Sequence, residues 1–178
     1  MKIDKITFTG ADNNTNLLSL KIFDNNISNK IKAEFGILFS KNRVGKARYP
    51  NLEWVDNLKL FKEREGFKNS HFSAHLCGEY VKELFTKSLT LYNSNIFSIF
   101  ERIQLNIPLN LKTNTTKEEL NNFKSNVDCL FPKQQIIFQI TKDKNLPFEF
   151  LDSFTENNHK IAVLFDSSGG NGVNPEKW

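Results

Sequence analysis

The stretch Ile161-Ala162-Val163-Leu164-Phe165-Asp166-Ser167-Ser168-Gly169-Gly170-Asn171-Gly172-Val173 decides how the chain reads. An apolar run ends in a carboxylate, and a Gly-rich turn follows at once. A run bounded this way predicts a buried strand. A polar residue at the carboxyl end of such a strand stands where α/β folds place their chemistry.

Outward from this stretch the same unit recurs. Short apolar runs predict strands over Lys5–Thr9, Glu34–Phe39, His71–Cys77, Arg102–Ile107, Gln135–Ile140 and Ile161–Phe165. Their centres lie roughly 25 to 37 residues apart, the length of one strand-plus-helix unit. Most are near-continuously apolar, as strands covered on both faces should be. Helical spacing falls between them, over Leu17–Ile22, Leu52–Phe61, Tyr80–Leu91, Glu118–Val127 and Phe148–Phe154. Pro50 precedes one of these helices, and Thr116 with Glu119 fits a capping box ahead of another. Alternating βα units predict a parallel sheet with helices, an α/β fold.

The positions of the loops favour a closed (β/α) barrel of the TIM type over an open doubly wound sheet. Polar, Gly-rich or Pro-containing stretches follow almost every strand, whereas an open sheet concentrates them at one switch point. Neither a GxGxxG turn after the first strand nor a Walker P-loop is present in the sequence. A full barrel needs about 200 to 250 residues. This chain has 178, enough for about six of the eight units. The expectation is a single barrel domain over residues 1–178, incomplete at its C-terminus. The alternatives are a barrel completed by another chain and an open variant. A homo-oligomer would cover the open barrel edges.

Composition narrows the partners. The chain is 39% hydrophobic and 25% charged, and its 17 Phe against 3 Tyr and 2 Trp predict a Phe-rich core. Its net charge is +4, with Lys and Glu alternating over 59–65 as on a solvated helix face, and no RNA-binding motif appears. These features exclude nucleic acid as the expected partner and leave a small anionic metabolite compatible. No apolar run reaches about 18 residues, so no membrane span is expected. Without a signal sequence, and with Cys77 and Cys129 far apart and outside any CxxC pattern, a cytoplasmic protein with reduced thiols is expected.

Several residues could carry chemistry. Asp166, at a strand's carboxyl end, could serve as a general acid or base, or fasten its own turn. Gly169, Gly170 and Gly172 could bring backbone amides to an anion, or form a turn without a ligand. Period-two alternation puts Ser73, His75 and Cys77 on one face of the third strand. Cys77 at its rim reads either as a thiolate base or as a small core residue. His75, deeper down, reads as a hydrogen-bonded core histidine rather than a ligand. Arg48, in the long loop after the second strand, could clamp a carboxylate or phosphate, or belong to a solvated basic loop. Gln104, Asn106 and Gln139 could orient a substrate or fill polar barrel layers. No strand ends in a lysine suited to Schiff-base chemistry. His and carboxylate spacing suggests no metal site, and no cofactor is implied.

The chain resembles the phosphoribosylanthranilate isomerases of tryptophan biosynthesis and an uncharacterised group of barrel proteins similar to them. The resemblance rests on Ile6-Thr7-Phe8-Thr9-Gly10 and on Phe35-Gly36-Ile37-Leu38-Phe39 followed by Arg48-Tyr49-Pro50. It continues through Arg102-Ile103-Gln104-Leu105-Asn106 and Leu164-Phe165-Asp166-Ser167-Ser168-Gly169-Gly170-Asn171-Gly172. It implies an Amadori rearrangement, an intramolecular aldose–ketose isomerisation, with a cysteine base ending the first strand and an aspartate acid ending the sixth. Asp166 matches the aspartate. Thr9 stands at the cysteine's position, where its hydroxyl is too weakly acidic to replace a thiol, and is left as a substrate contact. Asn106 stands where the family's fourth-strand motif has histidine. The family's phosphate site follows its seventh and eighth strands, beyond this chain.

The expectation is therefore an isomerase-like barrel enzyme acting on a small sugar-derived or phosphorylated metabolite. Asp166 would be its acid, Cys77 or His75 its base, and Arg48 its anion clamp. The alternative is a non-catalytic barrel or small-ligand-binding protein that has lost the base.

Overall fold

The computed structural model describes residues 5–12, 15–16, 31–39, 48–63, 70–78, 80–106, 117–140 and 161–165. The helices expected over 17–22 and 148–154, and Thr116 of the capping box, lie outside the described residues. In chain order come β1 (Lys5–Thr9), β2 (Lys32–Phe39), α1 (Leu52–Phe61), β3 (Ser70–Leu76) and α2 (Val81–Tyr92). A 3-10 turn (Phe97–Ile99) leads into β4 (Phe100–Asn106), then α3 (Lys117–Leu130), β5 (Gln135–Ile140) and β6 (Ile161–Phe165).

The six strands form one sheet in the order β1-β2-β3-β4-β5-β6. The pairs β1–β2, β4–β5 and β5–β6 run parallel, with Thr9 opposite Gly36, Asn106 opposite Gln139 and Ile140 opposite Phe165. Parallel neighbours need a crossover between them, and among the described residues α1, α2 and α3 follow β2, β3 and β4 in the chain. An order that never reverses has no switch point of the doubly wound kind. The α/β reading thus holds, with six strands laid down in sequence order.

The chain forms two compact units, Met1–His75 with Asn93–Glu101, and Leu76–Tyr92 with Arg102–Trp178. In the first, alternation along β2 sends Ala33, Phe35 and Ile37 to one face, where all are buried. Phe35 stacks on Phe8 at 6.1 Å and meets Phe72 of β3 at 5.9 Å between ring centroids. Helix α1 buries Trp54, Val55 and Leu58, a helical stripe at i, i+1 and i+4. Its start is set by Asn51, whose side-chain oxygen accepts from the Trp54 N–H at 2.8 Å. Pro50 stands just outside this cap. Past the helix end, the Lys62 ammonium lies 5.0 Å from the Phe72 ring centroid.

The other face of β1 and β2 is polar. Thr7 lies opposite Glu34, and its hydroxyl donates to Glu34 Oε1 at 3.1 Å, while Lys5 Nζ lies 3.5 Å from Oε2. Glu34 is fully buried, and a carboxylate so placed is sustained only by partners of this kind.

In the second unit, α2 buries Leu84, Ser88 and Leu91. Helix α3 buries Phe123, Val127 and Leu130 at the same i, i+4, i+7 spacing. Ile103 and Leu105 of β4 lie opposite Ile136 and Phe138 of β5, and all four are buried. With Phe131 they complete a Phe-rich core, as composition suggested.

Two strands depart from the expected burial. In β1, Ile6 and Phe8 are 40% and 42% exposed, and in β6, Val163 and Leu164 are 37% and 41% exposed. Ile161–Phe165 is a strand, as expected, but not a buried one. The reason is position: β1 and β6 end the strand order and each pairs on one side only. Among the described residues, no helix is long and apolar enough to cross a membrane.

Candidate functional site

In the first unit, candidate side chains gather near the carboxyl ends of β1 and β3, on either side of Gly36 of β2. The β1–β2 ladder carries Thr9 opposite Gly36 and extends one residue further, with the Gly10 N–H donating to the Gly36 carbonyl at 2.9 Å. Gly10 has φ +89°, a left-handed conformation that L side chains rarely adopt. The Arg48 side chain lies against it. A Cβ at Gly10 would come within 2.9 Å of Arg48 Nε and 3.2 Å of Arg48 Cβ.

Arg48 is fixed there by its own backbone. It has φ +68°, uncommon outside glycine, and its N–H donates to Asp12 Oδ2 at 2.8 Å. Asp12 is set in turn by Thr15: the Asp12 N–H donates to Thr15 Oγ1 at 2.9 Å, and the Thr15 N–H to the Asp12 carbonyl at 2.8 Å. The long loop after β2 therefore ends with an exposed guanidinium placed over the end of β1. Among the described residues, no carboxylate is ion-paired to it. A fork of five N–H donors at this place suits a carboxylate or phosphate.

On β3, Ser73 and His75 share a face, as alternation requires, and Ser73 Oγ lies 3.1 Å from His75 Nε2. Both are buried, His75 with 3% exposure. The imidazole lies across Gly36: a Cβ there would stand 2.6 Å from His75 Nε2, 2.7 Å from His75 Cε1 and 3.1 Å from Thr9 Cγ2. Thr9, Gly36 and His75 thus form a row across three strands, and Arg48 lies over the next residue of β1. Sequence reasoning singled out Thr9, His75 and Arg48 and put Ser73 on the face of His75, but gave Gly36 no role. A glycine inside an apolar strand pattern was the available signal, since it marks close approach of another group.

The second unit holds the other candidates. Gln104 Nε2 donates to Gln139 Oε1 at 3.1 Å, and both side chains are buried. Asn106 is opposite Gln139 in the ladder. The Gln104 and Gln139 amides therefore hold each other across neighbouring strands. Cys77 follows the end of β3 as a half-buried cysteine outside any disulfide, and its carbonyl accepts from Lys87, which also pairs with Glu83 at 2.6 Å. Asp166, Gly169, Gly170 and Gly172 lie outside the described residues. Among the described residues, no three His, Cys, Asp or Glu side chains converge to hold a metal ion.

A separate polar cluster stands at the opposite, amino-terminal end of the strands. His71, at the start of β3, pairs with Glu101 near the start of β4. Lys62 lies over Phe72, held below the usual lysine range by burial, with Glu101 pulling the other way. This end of a parallel α/β sheet ordinarily serves stability. No protein-family model matches the chain, and no match is found among the curated proteins or solved structures compared with it.

Proposed function

We propose that this protein is an isomerase-like (β/α) barrel enzyme acting on a small sugar-derived or phosphorylated metabolite. Arg48 receives the substrate's anionic group, a strand-end imidazole or thiolate takes a proton, and Asp166 returns one. The observation that carries the reading is the Arg48 side chain lying over Gly10, one residue past the Thr9–Gly36–His75 row. The guanidinium lies over the carboxyl end of β1 and the buried imidazole near that of β3, with β2 between them, and α/β enzymes collect catalytic groups at such strand ends. Sequential strand order supports the barrel reading over a doubly wound one.

In an aldose–ketose rearrangement, a base removes a proton next to the carbon of a ring-opened imine and an acid protonates nitrogen or oxygen. Two titratable groups with different environments are what such chemistry needs. Thr9 cannot supply the base, since its hydroxyl does not ionise near neutral pH. That same residue favours a second reading, a small-ligand-binding protein without catalysis.

Turnover separates the two. Wild type should convert phosphoribosylanthranilate, with the activity lost in Asp166→Asn and His75→Gln; no turnover alongside measurable binding of ribose 5-phosphate would establish the binding reading instead. A cytoplasmic protein whose copies cover the β1 and β6 edges fits this account. Light scattering should then report an oligomer, and a monomer would remove that part.

A further inference from the structure

We infer that Gly36 and Ser73 are positioning residues for the His75 imidazole, one leaving room for the ring across β2 and the other holding its Nε2. The inference rests on the isomerase-like reading above, to which it gives a base with a fixed place.

The first observation is steric. Cβ atoms do not approach other heavy atoms as closely as 2.6 Å, so any residue other than glycine at position 36 must displace the ring atoms Nε2 and Cε1. The ring cannot yield cheaply, because it is rigid, 3% exposed and bonded to a fully buried serine. The β2 backbone at Gly36 has negative φ or extended geometry, since only Gly10 among the described glycines has positive φ. Glycine is therefore required there by the approach of His75 and not by its backbone.

The second observation is chemical. A serine hydroxyl both donates and accepts. It can donate to Nε2 of the neutral ring and, after rotating, accept from the Nε2–H of the imidazolium. The ring can thus gain and lose a proton without leaving a buried polar atom unpaired, which in a dry site is otherwise costly. The third observation is place: Thr9 lies in register with Gly36, so the space above Gly36 brings the imidazole edge beside the end of β1. His75 reaches there from β3 and offers a ring nitrogen that can accept a proton, where Thr9 offers only a hydroxyl.

Ring-selective NMR on the full chain tests this without a substrate. Wild type should give an NOE between His75 Hε1 and the Thr9 methyl, and Gly36→Ala should lose it. Ser73→Ala should change the ratio of the two His75 tautomers, read from ring ¹⁵N shifts, by about fivefold, the factor a net hydrogen bond supplies. Ser73→Thr, which keeps the hydroxyl, should restore the ratio, and His71 and His159 serve as internal controls. If Gly36→Ala does not fold, the Ser73 pair still decides. No NOE in wild type, or an unchanged tautomer ratio in Ser73→Ala, overturns the inference. Phosphoribosylanthranilate turnover is measured beside these readouts: kcat should fall in Ser73→Ala and recover in Ser73→Thr. Absence of turnover in wild type with the NMR outcomes intact would count against the proposed reaction and leave the positioning of His75 standing.

Discussion

Gly10→Ala tests the join between fold and site most sharply. The substitution places a Cβ on a residue with φ +89°, 2.9 Å from Arg48 Nε, 3.2 Å from its Cβ and 3.3 Å from its Cγ. A left-handed conformation costs an L residue about 1–2 kcal/mol. Overpacking adds about 1–3 kcal/mol, here because Arg48 Cβ belongs to a backbone pinned by Asp12 and cannot simply swing away. Together these give about 2–5 kcal/mol of destabilisation, or about 4–20 °C in Tm for a chain of this size. The Arg48 guanidinium is displaced in the same event, so binding of inorganic phosphate should weaken by about tenfold or more, the loss expected for a charge-assisted contact. Urea denaturation and calorimetric titration read the two effects. Arg48→Ala removes the Nε and Cγ contacts, so the double variant should be less destabilised than the sum of the singles, by about 1 kcal/mol. Strict additivity, or a Gly10→Ala protein with wild-type stability and phosphate affinity, would refute the reasoning.

Three further outcomes are expected. Phe72→Ala removes a fully buried ring that meets Phe35 and underlies Lys62; it should cost about 3–5 kcal/mol in denaturant unfolding. Asn51→Ala removes the side-chain acceptor for the Trp54 N–H; it should cost about 1 kcal/mol, with Asn51→Ser recovering most of the loss. Burial holds the Lys62 ammonium below its ordinary value of 10.5, against the opposing pull of Glu101. The unfolded chain therefore binds more protons than the folded one between the lowered value and 10.5, and stability should rise with pH through that window. Lys62→Met should flatten the rise, measured by urea unfolding from about pH 8 to about pH 10.

The fold was legible in sequence wherever one strand or helix could be read by itself. The bounds expected for β1, β5, β6 and α1 are those observed. β2 begins two residues earlier than its apolar run, because Lys32 and Ala33 pair with Lys5 and Ile6 through backbone groups that hydropathy does not register. β4 likewise starts at Phe100, ahead of the expected Arg102. Burial was less legible, because it depends on neighbours. Val163 and Leu164 look like core residues in sequence and are exposed on an edge strand, whereas Glu34 looks like a surface residue and is buried under Thr7 and Lys5.

The same distinction runs through the site. Arg48 and His75 were visible as residue types able to bind an anion or move a proton. That Arg48 lies over Gly10, and His75 over Gly36, is a relation between residues far apart in the chain, and one sequence carries no record of it. Gly36 gives the clearest case. Its absent side chain is the informative feature, and it becomes informative only once the ring occupying that space is known.

The most direct measurement of the central claim is an amide and side-chain chemical-shift map with ribose 5-phosphate as the probe. The account predicts saturable perturbations concentrated at Thr9, Gly10, Gly36, Arg48 and His75, and reduced in Arg48→Ala. Perturbations centred instead on Lys5, Lys32, Ser70 and His71 at the amino-terminal end of the strands, or a map indifferent to Arg48, would contradict it.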